Sequence, residues 1–496
     1  MQAPAPFRLL DTTIADIHAA YESGALTARR LVELYLERIA AYDQAGPKIN
    51  AIISTNPRAL EEADALDAAY RKGGLVGPLH GIPLIMKDQA DVKDMPTTMG
   101  SVIFKDHFPD RDGFVVAKLK KAGAIFIGKS TLGELGAGDT HGSLFGSTRN
   151  VYDLERTAGG SSGGSGAAVS ANFCAVAVGQ EGYASIRRPS IWNGVAGMRP
   201  TAGLVSRSGV FGGWPSVFGS LGPMSRTVTD LAKLLDVMVG YDSEDPVTAL
   251  GAPHIQPSYS AGLHAEALKG KRIGILRESM GFRSDPDSDD FAQVTAVFDQ
   301  AVTDLAKVGA EVVDPVTIPD LNELLAKRAR RDDDDVESFA NYLKGSAAPP
   351  FHTREEAMAT PAFEQVMRGA KSRWAQTHSV DQHNEYLRAR DMLMMRLHQV
   401  MADLRLDAIV HKAVEHTPTL IRDGLNPPFM DQRGAPHLNT FLTYVPSVVV
   451  PAGFTASGLP AGITFLGLPY TDAEMLAFAF AYEQATGHRR PPETTP

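Results

Sequence analysis

The 496-residue chain has a single cysteine, Cys174, so no intrachain disulfide can form. That residue lies in the apolar run NFCAVAV, where a small buried hydrophobe is expected rather than a reactive thiol, and a reducing compartment fits. No window approaches the ~18 uninterrupted apolar residues that a membrane span requires. The N-terminal MQAPAPFRLLD has neither the basic start nor the apolar core of an export signal, so a cytoplasmic protein with no membrane partner is expected. Long basic runs are also absent: 48 Lys and Arg stand against 58 Asp and Glu, a net charge of -10, which lacks the electrostatic footprint of nucleic-acid binding. No repeat of fixed period is present.

What is present is 44% hydrophobic residues, enough to bury a large core. Residues 13 to 71 read as helices. Thr13 is placed to cap the first and Gly24 to stop it, Thr27 caps a second with apolar residues at helical spacing, and a third runs from Pro57 to Lys72 before Gly73-Gly74. Short apolar runs then alternate with helical segments. Strands are expected at Ile82 to Met86, between Ala122 and Lys129, from Lys271 to Leu276, and in LDAIV, PSVVVPAGF and GITFLGLP, with helices at Thr227 to Met238 and in AEMLAFAFAYEQAT. This alternation predicts an α/β fold. Residues 285 to 400 read as mostly helical and charged, and RARRDDDD, Arg328 to Asp335, reads as a solvated face without chemistry.

Two apparent motifs are discounted. GAIFIGKS, Gly123 to Ser130, matches the phosphate-binding pattern GxxxxGK[ST], but Ala-Ile-Phe-Ile reads as a buried strand whose N–H groups are already spent. His411, Glu415 and His416 have the wrong interval for a zinc site, so no metal is implied.

The stretch from Ala158 to Pro189 is different. It sets Ser161 and Ser162 among glycines, then an apolar segment, then Ser185 before Arg187 and Arg188. A flexible linker would not be followed by a run as apolar as AAVSANFCAVAVG, so the glycines must allow close backbone approach between packed elements. A serine nucleophile needs a base within reach and donors aimed at a developing oxyanion. No histidine lies in the stretch, and Lys87, after the strand GIPLIM, is a candidate base.

These residues carry a resemblance. GIPLIMKD, TTMGS, GSTRNVYDLERTAGGSSGGSGAAV, SIRRPS, GMRPTAGLVS, LGPMSRTVTDLAKLLD, PSVVVPAGF, GLPAGITFLG and AYEQATG follow one another as in the amidase signature family, which the chain resembles over nearly its whole length. The resemblance implies one large α/β domain with a mixed twisted β-sheet covered by helices on both faces. It implies an N-terminal helical segment, 1–75, packed on a core, 76–490, with a variable helical region at about 285–400. It implies a Ser-cisSer-Lys triad: Ser185 as nucleophile, Ser161 after a cis Gly160–Ser161 peptide as relay, and Lys87 as base. A lysine acts as a base only when neutral, so its pKa must fall towards ~7–8 by desolvation. The backbone N–H groups of Gly182, Tyr183, Ala184 and Ser185 would form the oxyanion hole. Asp88 and Ser162 would support the site, and Glu181 would pair with Arg187 to brace the loop.

The implied activity is hydrolysis of the C–N bond of neutral amides, with aryl amides, carbamates and esters within the same chemistry, through an acyl-enzyme and without a cofactor. A small-molecule amide or carbamate is the expected partner, with a homodimer compatible. The alternative is the glutaminase subunit of a tRNA-dependent amidotransferase. One departure stands out. Where the family reads G-x-D-[TI]-G-G-S, this chain reads Gly179-Gln180-Glu181-Gly182-Tyr183-Ala184-Ser185, placing a phenol in the loop before the nucleophile. Tyr183 either packs away from the cleft or reshapes the acyl pocket.

Overall fold

A computed structural model describes residues 7–212, 219–329, 332–343 and 346–496, without the side chains of 332–337. Eleven strands form one sheet: β1 (Ile52–Thr55), β2 (Pro83–Lys87), β3 (Ile125–Ser130), β4 (Val176–Glu181), β5 (Ala196–Arg199), β6 (Ser220–Ser225), β7 (Arg272–Leu276), β8 (Glu311–Val316), β9 (Ala408–Lys412), β10 (Ser447–Phe454) and β11 (Pro460–Leu466). Their order across the sheet is β1-β3-β2-β4-β6-β5-β10-β11-β9-β7-β8. Strands β3, β2 and β4 run parallel, as do β9, β7 and β8, and antiparallel pairing joins these two groups through β6, β5, β10 and β11. The expected single α/β domain with a mixed sheet and flanking helices is therefore present. Central strands such as β2, β3 and β4 are buried at every position, and this explains their continuous apolar runs in place of an alternating pattern.

Local signals select the helix ends. The Thr13 hydroxyl accepts from the Asp16 N–H in a reciprocal capping box before the helix Ile14–Glu22, and the Thr27 hydroxyl accepts from the Arg30 N–H at the start of Ala28–Arg38. The helix Ala59–Gly73 ends on Gly74, whose φ of +79° favours glycine. Two strands lie in stretches that read as helical. Ile52–Thr55 pairs antiparallel with β3, and Glu311–Val316 closes the opposite edge beside β7. Both are short edge strands selected by a distant partner, and neither run is long enough for its own periodicity to exclude a helix.

The sheet's direction creates the site. Because β2, β3 and β4 are parallel, Lys87, Ser130 and Glu181 emerge at the same edge, where the carboxyl ends of strands open a crevice. The Gly/Ser stretch enters that crevice and becomes a helix, Gly163–Ser170, in which all eight residues are buried. Its glycines let the helix lie against neighbouring backbone: a Cβ on Gly164 would stand 2.3 Å from Thr131 Oγ1 and 2.6 Å from the Ala51 carbonyl oxygen.

Candidate active site

Lys87 ends β2 with 0% exposure. Its Nζ donates to Ser161 Oγ at 2.7 Å and to the Gln180 carbonyl at 3.2 Å. Burial pushes its pKa well below the usual lysine value. The nearby Glu181 charge opposes that shift and the Arg373 charge adds to it. The amine is thus held in a place that favours its neutral form, beside a hydroxyl that can take and pass a proton.

The peptide between Gly160 and Ser161 is cis. The Arg188 guanidinium, 1% exposed, donates to the Gly160 carbonyl at 2.7 Å and pairs with Asp139 Oδ1 at 2.9 Å, while the Ser161 carbonyl accepts from the Gly133 N–H at 2.9 Å. A Cβ at Gly160 would lie 2.4 Å from the Gly138 carbonyl oxygen, so only glycine fits there. Ser162 ties the two serine-bearing segments together. Its N–H donates to the Ser185 carbonyl at 3.1 Å, and its Oγ donates to the Gln180 carbonyl at 3.1 Å and lies 3.2 Å from the Gln180 N–H.

Glu181 organises the loop that carries Ser185. One carboxylate oxygen accepts from the N–H groups of Ile186 at 2.8 Å and Arg187 at 3.0 Å, and the other from Arg187 Nε at 2.7 Å and Asn439 at 3.1 Å. Burial alone would raise its pKa, yet the charges of Arg187 and Arg199 and these hydrogen bonds hold it below the ordinary carboxylate value. The N–H groups of Gly182, Tyr183, Ala184 and Ser185 donate to no group among the described residues, which leaves them available to an incoming oxygen. Ser185 is half-buried and lines a cavity of about 400 Å³.

Asp88 is engaged away from the triad. Its carboxylate pairs with the buried Lys129 at 2.8 Å and accepts from Thr98 N at 3.0 Å and from the Thr98 hydroxyl. Lys129 is the lysine of GAIFIGKS, and the motif is strand β3 with its charge neutralised inside the protein. Of the other discounted cluster, Glu415 accepts from the N–H groups of Met280 and Gly281, and His416 Nδ1 lies 3.1 Å from Asp290.

Tyr183 lines the cavity. Its ring meets His437 edge-on, with Oη 3.2 Å from His437 Nδ1, and its carbonyl accepts from Arg187 at 2.8 Å. Burial pushes the phenol pKa up to about 12. The Arg328 guanidinium stands over the same ring, 4.7 Å from the centroid. Arg328 is exposed, as expected for a solvated face, and it also joins Arg283, Arg368 and Arg373 in lining the cavity. Residues 330 and 331 of that run lie outside the described residues. Nothing local in the sequence marks these arginines, because the chain brings them from separate segments hundreds of residues from β2.

Residues 30–476 match the Amidase family. The chain is 30% identical over 502 residues to the glutamyl-tRNA(Gln) amidotransferase A-subunit of Heliobacterium modesticaldum, covering 98% of this chain and 99% of that protein. It is also 30% identical to a probable amidase of Arabidopsis thaliana, covering 98% and 92%. Among solved structures, the native peptide amidase of Stenotrophomonas maltophilia superposes with a TM-score of 0.86 at 33% identity, covering 99% of this chain and 100% of that one. With its sequence landmarks, its fold and these relatives in agreement over almost the full length, the chain belongs to the amidase signature family of hydrolases.

Proposed function

We propose that the protein hydrolyses the C–N bond of amides through an acyl-enzyme on Ser185. The observation that carries this reading is the contact of Lys87 Nζ with Ser161 Oγ at 2.7 Å, fully buried, beside a cavity that Ser185 lines. In this reading neutral Lys87 draws the Ser161 proton, Ser161 draws that of Ser185, and Ser185 Oγ attacks the carbonyl. The N–H groups from Gly182 to Ser185 donate to the developing oxyanion, and the relay returns the proton to the departing amine. Water then attacks the ester and releases the acid. Glu181, Arg187 and Ser162 act as positioning residues through the contacts above; Asp88 supports the β2 end through Lys129.

Aryl amides, carbamates and esters fall within this chemistry, since pocket shape sets the leaving group. The Heliobacterium relative, part of an amidotransferase, supports glutaminase action as the second reading. A panel of amide, carbamate, ester and glutamine substrates with Ser185→Ala as control distinguishes them. Amide or carbamate turnover abolished in Ser185→Ala is the expected result. Turnover that survives in Ser185→Ala removes the nucleophile, and turnover of glutamine alone favours the second reading.

A further inference from the structure

We infer that Arg188, fixed by Asp139, is a positioning residue of the proton relay: its guanidinium holds the Gly160 carbonyl and so aims the Ser161 hydroxyl at Lys87. This rests on the reading of Ser161 as the relay between Lys87 and Ser185. Two arginines stand side by side after the nucleophile, at the start of the helix Arg187–Trp192, and both are buried. Their side chains brace different loops. Arg187 serves the nucleophile loop, through Glu181 and the Tyr183 carbonyl. Arg188 serves the relay loop: its Nη2 lies 2.7 Å from the Gly160 carbonyl oxygen, 3.3 Å from that of Gly138 and 2.9 Å from Asp139 Oδ1. Asp139 is fixed in turn, its N–H donating to Asp431 Oδ1 at 2.7 Å and its Oδ2 accepting from the Gln432 N–H at 3.4 Å.

Packing alone does not account for these contacts. Arg188 Nε and Nη1 have no hydrogen-bond partner among the described residues although the side chain is buried, so the polar contacts of the group converge through Nη2 on this one loop. A buried cation with two idle nitrogens is a poor source of stability, and an apolar side chain of similar volume would fill the space at lower cost. The contact also falls one bond from the relay. The peptide group that carries the Gly160 carbonyl is planar and includes the Ser161 nitrogen, so fixing that oxygen fixes the direction in which the backbone enters Ser161. On the far side the Ser161 carbonyl accepts from the Gly133 N–H at 2.9 Å, and the Ser162 N–H donates to the Ser185 carbonyl at 3.1 Å. With both flanking peptide planes held, only χ1 remains between the backbone and Oγ, and that atom lies 2.7 Å from Lys87 Nζ. The guanidinium itself is confined by Trp192, whose ring centre is 5.5 Å away and whose Nε1 donates to the His416 carbonyl at 3.0 Å.

A double-mutant cycle tests the inference, read as the rate at which a fluorophosphonate probe labels Ser185. Ser161→Ala should by itself slow labelling by about 10²-fold or more. Arg188→Met should slow it by about tenfold or more where Ser161 is present, and by less than about twofold in the Ser161→Ala protein, where no hydroxyl remains to be aimed. Arg188→Lys, which keeps a charge opposite Asp139 without the planar fork, should recover part of the rate, and it takes the place of Arg188→Met in the cycle if that variant does not fold. Equal slowing in both backgrounds, which a merely structural role would give, overturns the inference, as does a rate within about twofold of wild type when Ser161 is present. Either result leaves the relay reading standing. Labelling of Ser161→Ala at the wild-type rate removes the relay reading, and absence of labelling in the wild type removes the hydrolase reading; the inference falls with each.

Discussion

Lys87→Met removes the buried amine and keeps an unbranched chain of similar length. A positioned general base contributes about 10²–10⁴-fold, so kcat/KM should fall by that factor, or ~3–5 kcal/mol of transition-state stabilisation. Stability should respond differently. The Gln180 carbonyl keeps its hydrogen bond from Ser162, while Ser161 Oγ loses its amine partner at a cost of about 1–3 kcal/mol. Relief from burying an ionisable amine offsets that cost, so the variant should fold with a stability close to wild type at neutral pH. The pH dependence gives the sharper test. Lys87 binds its proton less readily folded than unfolded, so between the two pKa values the unfolded chain carries more protons and wild-type stability gains with rising pH, up to the unfolded value of about 10.4. Lys87→Met lacks this contribution. Urea denaturation of both proteins should therefore show the wild-type-minus-variant difference growing from about pH 7 to about pH 9. A flat or falling difference, or activity within tenfold of wild type, would refute the assignment of Lys87 as a buried base.

Glu181→Gln removes the negative charge that opposes deprotonation of Lys87, so the rising limb of the pH–rate profile should move to lower pH. The same change leaves the buried Arg187 without its counter-ion, and thermal or urea unfolding should register a loss of about 3–5 kcal/mol; a limb that moves to higher pH contradicts the electrostatic account. Gly164→Ala places a methyl group 2.6 Å from two backbone carbonyl oxygens, at Ala51 and Thr131, and should cost about 1–3 kcal/mol or more, read as a lowered midpoint. An unchanged midpoint would mean that the helix Gly163–Ser170 does not pack as closely as described.

Several features were legible from residues in order along the chain. The capping threonines at 13 and 27, the glycine stop at 74 and the apolar runs of β2, β3, β4, β10 and β11 act over a few residues, so each can be read without its surroundings. The candidacy of Lys87, Ser161 and Ser185 was also legible, through family landmarks and through the chemical need of a serine for a base. Edge strands β1 and β8 were not, because their extended form is selected by hydrogen bonds to β3 and β7.

By itself, then, the sequence determined the α/β class, the central strands and helix ends, the family resemblance and the residue types able to carry acyl transfer, since all of these are written in local periodicity and motif order. Tertiary structure alone decided which groups meet. The parallel run of β2 and β4 brings Lys87 beside the Gln180 carbonyl and next to Ser161. The packing of Asp88 on Lys129 commits that carboxylate to a partner other than Lys87. The folding of residue 328 over residue 183 puts an arginine from a charged run on the wall beside Ser185. Charge and hydrogen-bond partners act over a few ångströms in space, and no pattern in the order of residues records which distant segments will share that space.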